Sequence, residues 1–477
     1  MEDYINSQKS SAENLYPNLK QEDFGLQRYV SPTPGEMPIV AIGIIDPNKD
    51  NATNYAPSPK EQLELLKGLG ANIVFIDQLE DKKHYAPFLE AAQSVGIRLT
   101  IKFSGSSHSS LSSKPARQLN WIKTWGDNAK EFFNLQTVGY WELADEIGLD
   151  QLDACYLAKK NILANDLWGH IVFVNFHTAK GFQKWTSYTN SLQWEWKYRT
   201  YLTTILSKFK PAVVSSDYYT FHDDAHSYRS GYFQNMELYR RLAYQLRRPF
   251  WMYISGSYIK DTFYKLIPNP GNDKDREENL RREAEGIAMA RIRYKISAMC
   301  ALAFGAQGIL WWKTAPFAKE GLDWAPTDEY QKTNLYTPLL EVNQQIQFLS
   351  PIFLGCNIQE CRFTSSNTSN GIFNGFKIIK SGSNGAEKMG PLKYYVRGGQ
   401  FAEPYGFLIS YFTKGYHRYI MIVNIDFNIG HNQSGLFYFS ERMIRIPTKP
   451  LETAGSPAIQ HPVLNLEPGD CVIFRSE

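Results

Sequence analysis

The sequence predicts an α/β fold: a TIM (β/α)8 barrel followed by an all-β sandwich. Three observations carry that reading. Between Pro38 and Ser350, eight short apolar runs alternate with eight stretches of helical periodicity. Parallel strands buried on both faces read as near-continuous apolar runs, and right-handed crossovers close eight of them into a barrel. No Gly-rich phosphate loop follows the first run, which argues against an open doubly wound sheet. Beyond Pro351 the helical period disappears, and short alternating segments separated by Gly, Asn, Pro and Ser take over. The expected organisation is an N-terminal arm over 1–36, a barrel over 37–350 and a sandwich of seven or eight strands over 351–477.

The elements follow in order. "PIVAIGIID" (38–46) reads as the first strand, and "SPKEQLELLKGLG" as a helix with a Ser cap, an early Pro and a Gly stop. "NIVFID" (72–77) precedes the helical "HYAPFLEAAQSVG", and "IRLTIKFSG" (97–105) precedes "ARQLNWIKTWGDNAKEFF". "TVGYWELADE" (137–146) is the fourth strand, followed by "LDQLDACYLAKKNILAN". "GHIVFVNFH" (169–177), "AVVSSDYY" (212–219), "PFWMYISGS" (249–257) and "AQGILWW" (306–312) complete the eight, each with a helical segment after it. The helix after the seventh strand is long, from about Asp275 to Phe304. In the C-terminal part, "VLNLEPGDCVIFR" reads as a final strand pair joined by a Pro-Gly-Asp turn.

Composition narrows the function. With 51 basic against 48 acidic residues, the net charge is +3, so there is no electrostatic case for nucleic acid or an anionic membrane. No run approaches the ~18 apolar residues of a membrane span. The five cysteines, Cys155, Cys300, Cys356, Cys361 and Cys471, are scattered without a CxxC pair and read as buried thiols rather than a zinc site. Nothing calls for a cofactor. The first residues lack the basic start and apolar stretch of a secretion signal. The expectation is either a cytoplasmic protein or, with a leader removed, a periplasmic or extracellular one. Eleven Trp and 29 Tyr are many: most pack the core, and a minority offer flat, amphipathic surfaces for stacking on sugars or other ring-shaped ligands.

In a barrel of this kind, chemistry sits at the C-terminal ends of the strands. Those ends carry Asp46, Asp77, Lys102 with Ser104, Asp145-Glu146, Asn175 with His177, Asp217-Tyr218-Tyr219, Tyr253 with Ser255, and Trp311-Trp312-Lys313. Carboxylates and aromatic rings on one rim suit a carbohydrate. Rings stack on the sugar, carboxylates take its hydroxyls, and one protonated carboxyl cleaves the bond. Asp46, before Pro47, reads as a turn starter. Asp77 either caps the next helix or binds a hydroxyl, and His177 reads as a hydrogen-bonding wall residue. "FHDDAH" (221–226) groups two His with two Asp and reads as a solvated loop rather than a metal site, since no His-x-His stands on the first strand.

The adjacent carboxylates of "GYWELADEI" (139–147) admit two readings. Asp145 caps a helix with Glu146 in its first turn, or the pair is a catalytic acid and its partner. The chain resembles glycoside hydrolases built as a barrel with a C-terminal β-sandwich. In the large retaining clan with that fold, the acid/base Glu ends the fourth strand, the position of Glu146. The clan's nucleophile is a Glu ending the seventh strand, where this chain has "PFWMYISGSYI" and no carboxylate until Asp261. The Asp-Glu pair is also similar to that of N-acetylhexosaminidases that use the substrate's own acetamide, although Ile147 replaces the Pro of their "DEP". That resemblance implies Glu146 as general acid and Asp145 as the group orienting the acetamide and stabilising the oxazolinium. It also implies Tyr218 or Tyr219 on the acetamide oxygen and Trp311 or Trp312 under the ring. Without an acetamide, Asp217 is the second carboxylate. The expected partner is a carbohydrate, with further substrate contacts from Asp77, Asn175, His177, Tyr253 and Lys313. The alternative is a binding barrel that kept the aromatic rim and lost the chemistry.

Overall fold

The computed structural model describes residues 35–42, 58–76, 82–102, 137–165, 170–178, 182, 191–221, 228, 231–256, 276–312, 335–364, 376–382, 388–398, 405–450, 452 and 459–477. Asp46, Asp77, Ser104, residues 222–226 and Lys313 lie outside them, as do residues 1–34 of the expected arm and the helical segment 116–133.

The barrel strands are β1 (Ile39–Ile42), β2 (Ile73–Ile76), β3 (Arg98–Lys102), β4 (Val138–Glu142), β5 (Ile171–Phe173), β6 (Asn175–Phe176), β7 (Val214–Asp217), β8 (Phe250–Ser255) and β9 (Ala306–Trp312). Between them run helices α1 (Pro59–Gly68), α2 (Lys82–Val95), α3 (Leu152–Asn165), α4 (Ser191–Phe209), α5 (Tyr232–Leu246), α6 (Arg276–Ala303) and, after β9, α7 (Tyr336–Phe353). Helix α1 starts in the reciprocal way its sequence predicts. Glu61 N–H donates to Ser58 Oγ at 3.3 Å, and Ser58 N–H donates to Glu61 Oε2 at 2.8 Å.

All pairings in this sheet are parallel, and its order is β5-β4-β3-β2-β1-β9-β8-β7-β6. The first and last strands pair, Val40 beside Leu310. The two ends of the order, β5 and β6, are one strand interrupted at Val174. The ring is therefore closed, a (β/α)8 barrel whose fifth strand is written in two pieces. Among the described residues most strands are shorter than expected, such as Val138–Glu142 for 137–146 and Val214–Asp217 for 212–219, and this break divides the fifth. The chain bends there so that β5 pairs with β4, and β6 with β7.

Alternation along the strands sorts side chains into two layers. Val40, Phe75, Tyr140, Phe173, Trp251 and Leu310 fill the barrel interior. Tyr140 and Trp251 meet edge to face at 4.6 Å. Trp251 stands beside Gly308, where a Cβ would come within 2.7 Å of the indole. The opposite parity, including Ala41, Val74, Trp141, Met252 and Trp311, packs outward under the helices.

The C-terminal sandwich has a five-stranded antiparallel sheet, β10 (Asn357–Phe363), β12 (Phe407–Lys414), β13 (His417–Asn424), β17 (Cys471–Ser476) and β15 (Met443–Ile446) in that spatial order. A three-stranded sheet, β11 (Leu392–Gly398), β14 (Gln433–Phe439) and β16 (Val463–Leu466), faces it. Ile409, Ile420 and Phe474 from one sheet meet Tyr395 and Phe437 from the other in a separate core. The ending differs from the expected hairpin: β16 belongs to the smaller sheet and β17 to the larger. The turn at Gly469 (φ 77°) carries the chain across the sandwich and lies against α6, where a Cβ would fall 3.0 Å from the Ile292 carbonyl oxygen. The sandwich is bolted to the barrel's helices. Ser410 Oγ donates to the Ala303 carbonyl at 2.7 Å, Arg240 Nη1 donates to the Ile358 carbonyl at 2.7 Å, and Lys295 pairs with Asp470 at 2.9 Å. The Tyr228 hydroxyl also donates to the Ile425 carbonyl. All five cysteines are buried free thiols. No described helix is long and apolar enough to cross a membrane.

Candidate active site

The fourth strand places one carboxylate inside the barrel and two at its mouth. Tyr140 and Glu142 share the inward parity. The Glu142 side chain is fully buried, and the Tyr253 hydroxyl of β8 donates to its Oε2 at 2.9 Å. Burial, then the negative charge of Glu142, holds the Tyr253 hydroxyl well above the usual tyrosine range, so it stays a donor. Lys102 stands beside Glu142 in the β3–β4 register.

Beyond Glu142 the chain continues along the fifth strand. Leu143 N–H donates to Phe173 O at 3.0 Å, Asn175 N–H to Ala144 O at 2.9 Å, and Ile147 N–H to Asn175 O at 3.1 Å. These bonds pin both sides of Asp145-Glu146. Neither residue caps a helix: Gly148 precedes a 3-10 turn over Leu149–Gln151, and α3 begins only at Leu152. Glu146 sits in the left-handed region at φ 48°. A non-glycine residue there costs about 1–2 kcal/mol, and such strain persists where the surroundings over-determine it. The Glu146 carboxylate lies 3.5 Å from His177 Nδ1, and its side chain is 30 % exposed, so it can reach a molecule in the mouth.

Asp145 is held by Asn175, whose Nδ2 donates to Oδ1 at 3.0 Å. Asn175 in turn accepts from the Ser215 hydroxyl at 3.0 Å. Asp217, two residues further along that strand, ends β7. Its Oδ1 is enclosed without a hydrogen-bond partner. Burial first, then the charges of Glu146 and Asp145, push the Asp217 carboxyl well above the ordinary carboxylate range, against the pull of its hydrogen bond with Asn175. The three half-buried carboxyl groups thus feel one another's charge.

Three tyrosines buttress this rim from behind. The Tyr201 hydroxyl of α4 accepts from His177 N–H at 3.1 Å and donates to Ile147 O at 2.9 Å. Tyr198 of α4 and Tyr239 of α5 lie within hydrogen-bond distance of the His177 carbonyl, at 2.8 and 3.0 Å, and of each other at 2.8 Å, so their two protons are shared among three contacts.

Other expected site residues divide by strand parity. Tyr253 joins the interior, locked on Glu142. Trp312 is partly buried against the interior layer, and Ser255 stands beside it in register. Trp311 instead points outward and is fully buried; its indole N–H donates to Asn343 Oδ1 of α7 at 2.7 Å. Tyr218 is buried in the outer layer, stacked on Tyr232, while Tyr219 is partly exposed. Glu142, Ser215 and the three tyrosines were not singled out by sequence reasoning. Only Glu142 leaves a signal there, as a charge inside an apolar run. Among the described residues, no three His, Cys, Asp or Glu side chains are grouped to hold a metal ion.

No protein-family model matches the chain, and no curated protein does. Among solved structures, the chain is similar in shape to a protein titled "Glycoside hydrolase" at 13 % identity and a TM-score of 0.47, over 92 % of both chains. It is similar also to a glycoside hydrolase family 5 protein from Bacteroides vulgatus ATCC 8482, at 10 % identity and a TM-score of 0.49, over 92 % of this chain and 89 % of that one. A glucosidase from Croceicoccus marinus matches at 9 % identity and a TM-score of 0.41, over 92 % and 95 %.

Proposed function

We propose that the protein is a glycosidase that hydrolyses a glycosidic bond in an oligo- or polysaccharide. One observation carries the reading: Glu146, Asp145 and Asp217 converge on the barrel mouth, where burial and then the charges of Glu146 and Asp145 shift the Asp217 carboxyl upward. Hydrolysis of this bond needs one carboxyl that carries a proton and one that does not. Glu146, the more accessible, is the donor to the leaving oxygen, and Asp217 is the second carboxylate. A sugar lying over Glu146 excludes water from its carboxyl, which favours the protonated form a donor needs. Asp217, once ionised, then serves as base on water or as nucleophile. Carboxyl separations of about 6.5–9.5 Å go with inversion and about 5–5.5 Å with retention.

Trp312 and Tyr219 supply the stacking and polar contacts of the rim, joined in this proposal by Asp77 and Lys313. Asp145 is already bonded to Asn175, which favours the two-carboxylate route over one in which Asp145 orients a substrate acetamide. Tight inhibition by a thiazoline would reverse that preference, because only the acetamide route predicts it.

The test is hydrolysis of a panel of aryl glycosides by the wild type, Glu146→Gln and Asp217→Asn, with product anomers followed by NMR. Turnover that survives Glu146→Gln removes Glu146 from the acid role. A second reading, a carbohydrate-binding barrel without chemistry, is favoured by the β8 end, where Tyr253 and Ser255 stand and no carboxylate does. Calorimetric glycan binding without turnover on any substrate would establish it.

A further inference from the structure

We infer that Tyr201 is a positioning residue that sets the working conformation of Glu146, by tying the backbone just beyond Glu146 to the backbone of His177 through one hydroxyl. The inference deepens the glycosidase reading and rests on it for the kinetic part of its test.

The geometry is specific. A phenol hydroxyl has one proton to give and lone pairs to receive. Tyr201 gives its proton to the carbonyl of Ile147 at 2.9 Å and receives the N–H of His177 at 3.1 Å. Ile147 follows Glu146 directly, and His177 is the residue whose ring faces the Glu146 carboxylate at 3.5 Å. One hydroxyl therefore ties the main chain of His177 to that of the residue after Glu146, and so bears on both members of the Glu146–His177 contact. Glu146 is the residue in the left-handed region, a conformation that does not hold itself. The residue after it is held at its N–H by Asn175 O and at its carbonyl by Tyr201.

Tyr201 is itself immobilised. It is fully buried, stacked on Tyr198 at 5.8 Å and packed on Phe182 at 4.9 Å. Tyr198 and Tyr239, their hydroxyls 2.8 Å apart, hold the His177 carbonyl, so the peptide units flanking His177 are gripped on both sides from one direction. Burial, then the neighbouring Tyr239, keeps the Tyr201 proton in place. Tyr201 touches no substrate position; it acts through Glu146 and His177.

The test compares Tyr201→Phe with Tyr228→Phe, which deletes a buried hydroxyl at the barrel–sandwich contact. Tyr201→Phe is expected to lower kcat on the order of 10- to 100-fold with KM within about twofold, as a displaced catalytic group does. Tyr228→Phe is expected to lower only the melting temperature. Replacing Tyr201 with 4-aminophenylalanine, whose N–H can still donate to Ile147 O, should recover most of kcat, and it serves as the probe should Tyr201→Phe not fold. Equal kcat in wild type and Tyr201→Phe overturns the inference, as does a loss shared by both Phe variants. Should the wild type turn over no glycoside, the glycosidase reading fails alone, and a crystal structure of Tyr201→Phe decides. Glu146 leaving φ near +48°, or its carboxylate leaving His177, supports the role; an unchanged Glu146 refutes it.

Discussion

Asn175 joins Asp145 to the sixth strand of the barrel: its amide nitrogen donates to Asp145 Oδ1 at 3.0 Å while its amide oxygen accepts from Ser215 on β7 at 3.0 Å. The side chain is almost fully buried and its backbone also pairs with Ala144 and Ile147. A single residue thus carries both the orientation of one carboxylate and the seam between two strands. Asn175→Ala would strand a buried hydroxyl and strip a carboxylate of its donor. The expected loss is about 2–3 kcal/mol, read from the urea midpoint at constant slope. A loss under half of that would mean water replaces the amide.

Asp217 makes a prediction with a definite sign. Its carboxyl pKa in the folded chain lies well above the ordinary carboxylate value, so the folded state binds the extra proton. Such a group adds stability that is complete below the unfolded carboxylate pKa of about 3.9 and is lost as pH rises through the folded value. The wild type should therefore lose more stability than Asp217→Asn as pH rises from about 4 through the raised folded value, and the two curves should run parallel on either side of that window. Denaturant titrations at several pH values check it; curves parallel throughout would contradict the shift.

Glu146→Gly separates stability from function. Glycine adopts φ near +48° without the steric cost that glutamate pays there. The variant is expected to gain up to about 1 kcal/mol, raising the melting temperature, while losing turnover. A lower melting temperature would show that the carboxylate's contact with His177 outweighs the backbone strain.

The barrel–sandwich seam depends on a buried ion pair. Arg240 bonds both oxygens of Glu237 at 2.6 and 2.7 Å and reaches across to Ile358. Burial alone would raise the Glu237 carboxyl, but Arg240 and then Arg241 outweigh it and hold it below the usual range. Removing Arg240 leaves the enclosed Glu237 with Arg241 as its remaining cation, so Arg240→Ala should cost at the low end of the range for a broken buried pair, about 3 kcal/mol. The pair's contribution is present above the unfolded glutamate pKa of about 4.3 and fades as pH falls through the lower folded value. The variant's deficit should accordingly shrink in acid, which unfolding at pH 7 and pH 3 would show.

Much of this architecture was legible in the chain. Strands buried on both faces must be apolar throughout, and helices on the outside must alternate at 3.6 residues, so the eight units announce themselves. The strand-end rule led to Glu146, Asp145, Asp217 and Asn175, which the structure brings to one mouth. It could not separate Trp311 from Trp312. Both end the same strand, and which parity faces inward is decided by the strand's tilt in the closed ring. Nor could it find Tyr198, Tyr201 and Tyr239: they read as helix core, and their bonds to His177 span 21, 24 and 62 residues.

The order of apolar and polar residues by itself determined a parallel barrel, a following β-sandwich and the strand ends where carboxylates gather, because burial acts on local patterns. The tertiary structure alone decided that the fifth strand breaks at Val174, that the last two strands part into different sheets, and that Glu146 stands in a left-handed conformation beside His177. Those outcomes depend on which backbone groups meet across long sequence distances, where hydrogen bonds and mutual charge act and no local pattern records them.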